Sequence, residues 1–196
     1  MTLTRADRFL IGAAAVFLVS QANIGRVLGS TAPTVGTVQT TFSASKYRKI
    51  LDDLGPEEIE RYREHYYWDM VHPATFAIAL RAGARSLDEH RPLSPSTRRI
   101  LMAAPVVAAA GDYVENIVGL YLLDHRTRID DRTVRAASTV SVTKWVLALG
   151  SFAYLSQGFL RMWSGAALQR LRRGRPVTAG CLRRGRPVTA GCLRRG

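Results

Sequence analysis

Two carboxylates and an amide, Asp112, Glu115 and Asn116, interrupt an otherwise apolar run over residues 100–123. On a helix, at about 100° per residue, all three fall within one arc, which Pro105, Ala108 and Gly119 extend. Val107, Val114, Ile117, Val118 and Tyr121 lie opposite. A run of this length crosses a hydrocarbon core. A carboxylate at its centre costs roughly 2.5–3.5 kcal/mol on insertion scales, so each acid requires a partner. Lys144 stands in a second apolar run, over residues 140–160, and Asp69 and His72 open a third.

These residue types permit four chemistries. Lys144 neutralises Asp112 or Glu115 while Asn116 hydrogen-bonds across helices, giving a structural ion-pair network. Asp69-x-x-His72 and Asp112-x-x-Glu115 offer oxygen and nitrogen ligands one helical turn apart, a spacing compatible with a metal but not specific for one. His72 with Glu115 is a candidate catalytic acid–base pair acting on a lipid-like substrate. Carboxylates inside a bundle also bind cations or pass protons. The charges do not balance: Asp69, Asp112 and Glu115 face Lys144, with His72 as the other inner cation. A protonated carboxyl or a bound cation makes up the difference. The residues specify no cofactor, and they leave enzymatic and non-enzymatic readings both open.

The elements that must position these groups are helices. Apolar residues are gathered into blocks of membrane-spanning length rather than spread through the chain. The expectation is an all-α fold: a four-transmembrane-helix bundle over residues 1–170, with helices at about 9–28, 66–86, 100–123 and 140–160. The second helix reaches full length only if Arg81 and Arg85 run their stems to the interface. Ser20-Gln21-Ala22 resembles a signal-peptidase site, but the apolar segment continues through Ile24, Val27 and Leu28, which favours a retained anchor. Residues 29–65 form an outer loop, where Tyr47, Ile50, Leu51 and Leu54 recur at helical spacing and mark a short amphipathic helix. Tyr66, Tyr67 and Trp68 form an interfacial aromatic belt. Basic residues gather at both termini and in the loop around residues 81–99, which the positive-inside rule places in the cytoplasm. With that topology Asn23, Asp69, His72, Asp112, Glu115, Asn116 and Lys144 converge at one depth, an outer-side polar pocket.

The net charge of +13 belongs mostly to the end of the chain. Residues 171–196 hold eight Arg and no acid, so that +5 remains on the body. There the 11-residue unit Leu171-Arg-Arg-Gly-Arg-Pro-Val-Thr-Ala-Gly-Cys181 repeats without a mismatch. Gly, Pro and Arg with no apolar face predict a disordered tail whose partner is anionic lipid rather than nucleic acid. Both cysteines, Cys181 and Cys192, lie in it, so no disulfide framework supports the body.

Thr41-Phe42-Ser43, Ile50-Leu51-x-x-Leu54-Gly55 and Arg61-Tyr62, followed by Asp69-x-x-x-Pro73, Asp112-x-x-Glu115-Asn116 and Thr143-Lys144-Trp145, form a connected pattern over residues 9–163. It resembles a family of small bacterial four-helix integral membrane proteins. The resemblance implies the fold and an inner-membrane location, and it implies no activity. His72 stands where the pattern has an aromatic residue, and the tail lies outside it. The resulting expectation is a multi-pass membrane protein with a structural or small-ligand pocket formed by Asp69, Asp112, Glu115, Asn116 and Lys144. It is embedded among membrane lipids and is a candidate homo-oligomer. The alternatives are a lipid-modifying enzyme and a proton or cation pathway.

Overall fold

The computed structural model describes residues 3–173, and every regular element among them is a helix. α1 (Arg5–Leu28) starts at a capping box: the Asp7 amide donates to Thr4 Oγ1 (3.2 Å) and the Thr4 amide to Asp7 Oδ2 (2.9 Å). It stops at Gly29, whose φ of +52° suits a residue without Cβ. A 3₁₀ turn (Gly29–Thr31) leads into α2 (Ala32–Gln39). Three further helices follow: α3 (Ala44–Asp52), α4 (Pro56–Trp68) and α5 (His72–His90). α6 (Pro95–Asp124) and α7 (Asp131–Arg173) are the long ones, joined through a 3₁₀ turn at Arg126–Arg128.

Three boundaries depart from the sequence expectation. The segment expected as one helix over 66–86 is two, because Pro73 has no amide hydrogen to give the carbonyl of Asp69 one turn back. α4 therefore ends at Trp68, a turn covers Asp69, Met70 and Val71, and α5 starts afresh. α7 begins at Asp131 rather than near 140, since Asp130 accepts from the Thr133 amide (2.8 Å) and nucleates the helix ahead of the apolar run. In the outer loop α3 matches the expected amphipathic helix, and α2 is a helix that the sequence did not mark.

Residues Met1–Phe159 form one compact unit and Leu160–Gly196 a second. In the second unit, residues 160–173 are helical, with Leu160 and Trp163 exposed. The basic repeat expected to be disordered contributes residues 171–173 to that helix, and its remainder, 174–196, lies outside the described residues.

The first unit has two apolar cores. One joins Leu28 of α1, Tyr47 and Leu51 of α3, Tyr62 of α4, Leu122 of α6 and Val134 of α7. The other joins Ala84 and Leu87 of α5, Leu101 of α6 and Leu155 of α7. Along both α6 and α7, Asp112, Glu115 and Lys144 fall between the two cores. Small residues let the helices approach: a Cβ on Gly83 would stand 3.1 Å from Leu155 Cδ1, and one on Gly111 would stand 3.4 Å from Lys144 Cβ. The other face of α6 is bare, with Val107, Val114, Ile117 and Tyr121 exposed, while Pro105, Ala108 and Gly119 are buried. Among the described residues, two stretches are long and apolar enough to cross a membrane, Arg5–Gln39 and α6. Only 6% of the apolar window in the first is buried, and Phe9, Ile11, Val16, Leu18 and Val19 are exposed.

Candidate functional site

α6 and α7 bring the charged residues together. Lys144 Nζ donates to Asp112 Oδ1 and lies 2.9 Å from Glu115 Oε2, and all three side chains are buried. The acids sit three residues apart on α6, so one amine one helix away reaches both. Burial of this kind holds only if the remaining lone pairs are also satisfied. Glu115 meets that demand: Oε1 accepts from Gln39 Nε2 (2.5 Å) and Oε2 from the Ser141 hydroxyl. Gln39 is fixed in turn by Trp145, whose indole N–H donates to Gln39 Oε1 (2.9 Å). The network therefore ties α2 to α6 and α7.

Asn116 does a different job. Its amide Nδ2 donates to the Asp69 backbone carbonyl (3.1 Å), the group that Pro73 leaves without a helical donor. Asn116 is 1% exposed, and among the described residues its Oδ1 has no hydrogen-bond partner. Asp69 itself is only half-buried in the α4–α5 turn.

His72 stands elsewhere. Its Nδ1 is 3.0 Å from Ser20 Oγ, and its ring packs against Phe17 and Phe76 with centroids 5.5 and 5.9 Å away. It seals the α1–α5 contact, and among the described residues no hydrogen bond or ion pair joins it to Glu115. Asn23 is half-buried and accepts from Arg26 (2.9 Å), apart from the charged network. Among the described residues, no three His, Cys, Asp or Glu side chains gather as a metal-holding group.

Beside Glu115 lies a cavity of about 20 Å³, room for about one water-sized molecule. Its polar lining is Gln39, Tyr47, Tyr66, Glu115, Ser138 and Ser141. The ring of Tyr66 enters over Gly119, where any Cβ would collide with the hydroxyl. Tyr66 donates to the Tyr62 hydroxyl (3.0 Å), and Ser138 donates to the Thr41 carbonyl. His65 closes the aromatic stack from behind, with its ring centroid 4.1 Å from Tyr66 and its Nδ1 against the Tyr62 carbonyl. Burial lowers the His65 pKa to about 4, and burial raises that of Tyr47 to about 12, so both are neutral at physiological pH.

Gln39, Ser141, Ser138 and the tyrosines carry no charge and sit outside the expected spans or among apolar residues, so no cost at the sequence level marked them. The one available signal was the polar string Gln39-Thr40-Thr41 closing an otherwise apolar stretch. A second buried polar group also went unmarked. Asp7 accepts from Ser86 Oγ (2.5 Å) and pairs with His90 Nε2 (2.9 Å), stapling the start of α1 to the end of α5. The chain matches no family model, no curated protein and no solved structure.

Proposed function

We propose that the chain is a multi-pass integral membrane protein, crossing with α1, α5, α6 and α7 and keeping both termini in the cytoplasm. Its outer-side polar pocket serves as a structural lock with room for a small ligand. The observation that carries this reading is the buried Asp112–Lys144–Glu115 network, extended by Gln39 and Ser141 and lying between two apolar cores. A charged network of this completeness is costly to bury, and its return is the fixed register of α2, α6 and α7. The exposed faces of α1 and α6, lined by Phe9, Val16, Leu18, Val107 and Ile117, suit lipid contact. α5 and α7 are less apolar. α5 carries Arg85, Asp88 and Glu89 toward one end, where their heads reach the interface, and Lys144 of α7 is neutralised inside.

The resemblance to small bacterial four-helix membrane proteins supports a bacterial inner membrane, and the basic tail supports contact with anionic lipid there. A lipid-modifying activity is less favoured. The cavity beside Glu115 admits no acyl chain, and His72 is engaged with Ser20. A proton or cation pathway keeps one argument in its favour, the two acids that share a single lysine.

The test is a double-mutant cycle on purified protein in detergent. Lys144→Met strands two buried carboxylates and is expected to cost roughly 3–5 kcal/mol, seen as a large fall in melting temperature. Adding Asp112→Asn should restore part of the loss, because Glu115 retains Gln39 and Ser141. A Lys144→Met protein that melts like wild type overturns the lock.

A further inference from the structure

The cavity beside Glu115 has an uneven chemistry. The hydroxyl hydrogen of Tyr66 is committed to Tyr62, that of Ser138 to the Thr41 carbonyl and that of Ser141 to Glu115. Each oxygen keeps lone pairs, and so does the carboxylate, which accepts at up to about four positions. Gln39 is engaged at both ends, with one amide N–H left over. The lining is thus rich in acceptors and poor in donors. Tyr47 is the second, separate sign. It is 4% exposed, it lines the cavity, and among the described residues its hydroxyl makes no hydrogen bond. The network alongside holds two carboxylates and one ammonium, a net charge of −1 in a low-dielectric setting. A water molecule would leave that charge standing; a small cation offsets it while taking lone pairs from the same oxygens.

We propose that this cavity is a site for a dehydrated monovalent cation, ammonium or an alkali ion. Glu115 is its anionic anchor, and the hydroxyl oxygens of Tyr47, Tyr66, Ser138 and Ser141 complete its shell. Hard monovalent ions take oxygen ligands of this kind, and the volume of about 20 Å³ fits one such ion and excludes quaternary ammonium. The inference rests on the small-ligand pocket proposed above and names its occupant.

The experiment is thermal unfolding of the full chain in detergent at fixed ionic strength, with choline chloride replaced stepwise by ammonium, potassium or sodium chloride. A site predicts a saturable rise in melting temperature for at least one of the three, since an ion that binds only the folded state stabilises it by mass action. Tyr47→Phe, which leaves the Lys144 pairing untouched, should raise the half-saturating concentration roughly tenfold, the effect of one lost ligand. Glu115→Gln should abolish the saturable rise, and Tyr47→Phe carries the test if that variant fails to fold. Identical melting in all four salts, or a half-saturation that Tyr47→Phe does not move, overturns the cation site. Alkaline carbonate extraction keeps the two proposals apart. Release of the chain from membranes defeats the membrane reading, whereas salt-independent melting of a carbonate-resistant chain defeats the ion site.

Discussion

His65 shows how a single neutral side chain couples the site to pH. Its ring is 3% exposed, stacked on Tyr66, with Nδ1 set against the Tyr62 carbonyl. Burial holds its pKa at about 4 in the folded chain, against 6.5 when exposed. Between those values the unfolded chain binds the extra proton, so the stabilisation is complete above about pH 6.5 and declines as pH falls toward 4. The full excursion is on the order of 3 kcal/mol at about 1.4 kcal/mol per pH unit. The melting temperature should therefore drop between pH 7 and pH 5, and His65→Gln should flatten that dependence; an unchanged slope in the variant would refute the assignment. His65 was not visible as a site residue, because a histidine in a polar outer segment carries no penalty that sequence alone exposes. Asp112, Glu115, Asn116 and Lys144 were visible for the opposite reason: charge and amide in an apolar run demand partners. His72 stood out by the same logic, yet a hydroxyl on α1 answers it and, among the described residues, no carboxylate does.

At the scale of elements, the outer helices depend on groups borrowed from elsewhere. α3 has Ser43 at its N-cap, but that side chain makes no capping bond. The cap comes instead from the first residue of α7, where Asp131 Oδ1 accepts from the Ala44 amide (2.7 Å). Arg48 returns the favour by donating to the Ile129 carbonyl (2.5 Å). Asp131→Ala should cost about 1 kcal/mol, the worth of a lost cap. Hydrogen exchange should speed up at the start of α3 and stay unchanged in α5; uniform loss of protection would argue against a local cap. Helix type was readable outside α2, since apolar blocks and the 3.6-residue period point the same way elsewhere. Helix limits were read less well, because α7 begins on a polar turn that apolar length cannot register. The break between α4 and α5 was written as Pro73, but the aromatic residues before it and the apolar ones after it read as one continuous span.

At the scale of the whole molecule, the polar layer divides the first unit into two apolar cores, each drawing on α6 and α7. The bare faces of α1 and α6 account for how little of so apolar a chain is covered by protein. Topology has a built-in reporter. Cys181 and Cys192 are the only cysteines, and both lie beyond the last proposed crossing. A membrane-impermeant maleimide should leave the protein unlabelled in intact cells and label it once the cells are permeabilised. Labelling from outside would invert the proposed arrangement.

The Asp69 carbonyl carries a consequence for the order of assembly. Pro73 removes its donor within the same strand of chain, and Asn116 supplies one from more than forty positions later, on α6. Until α6 arrives, a chain emerging from the ribosome lacks this donor at the turn that opens the second proposed crossing, and a buried carbonyl left unmet costs about 1–3 kcal/mol. The second proposed crossing is thus complete only once the third is made. A chain truncated before Asn116 should be an early target for quality-control proteolysis, even with α1 and α5 already inserted.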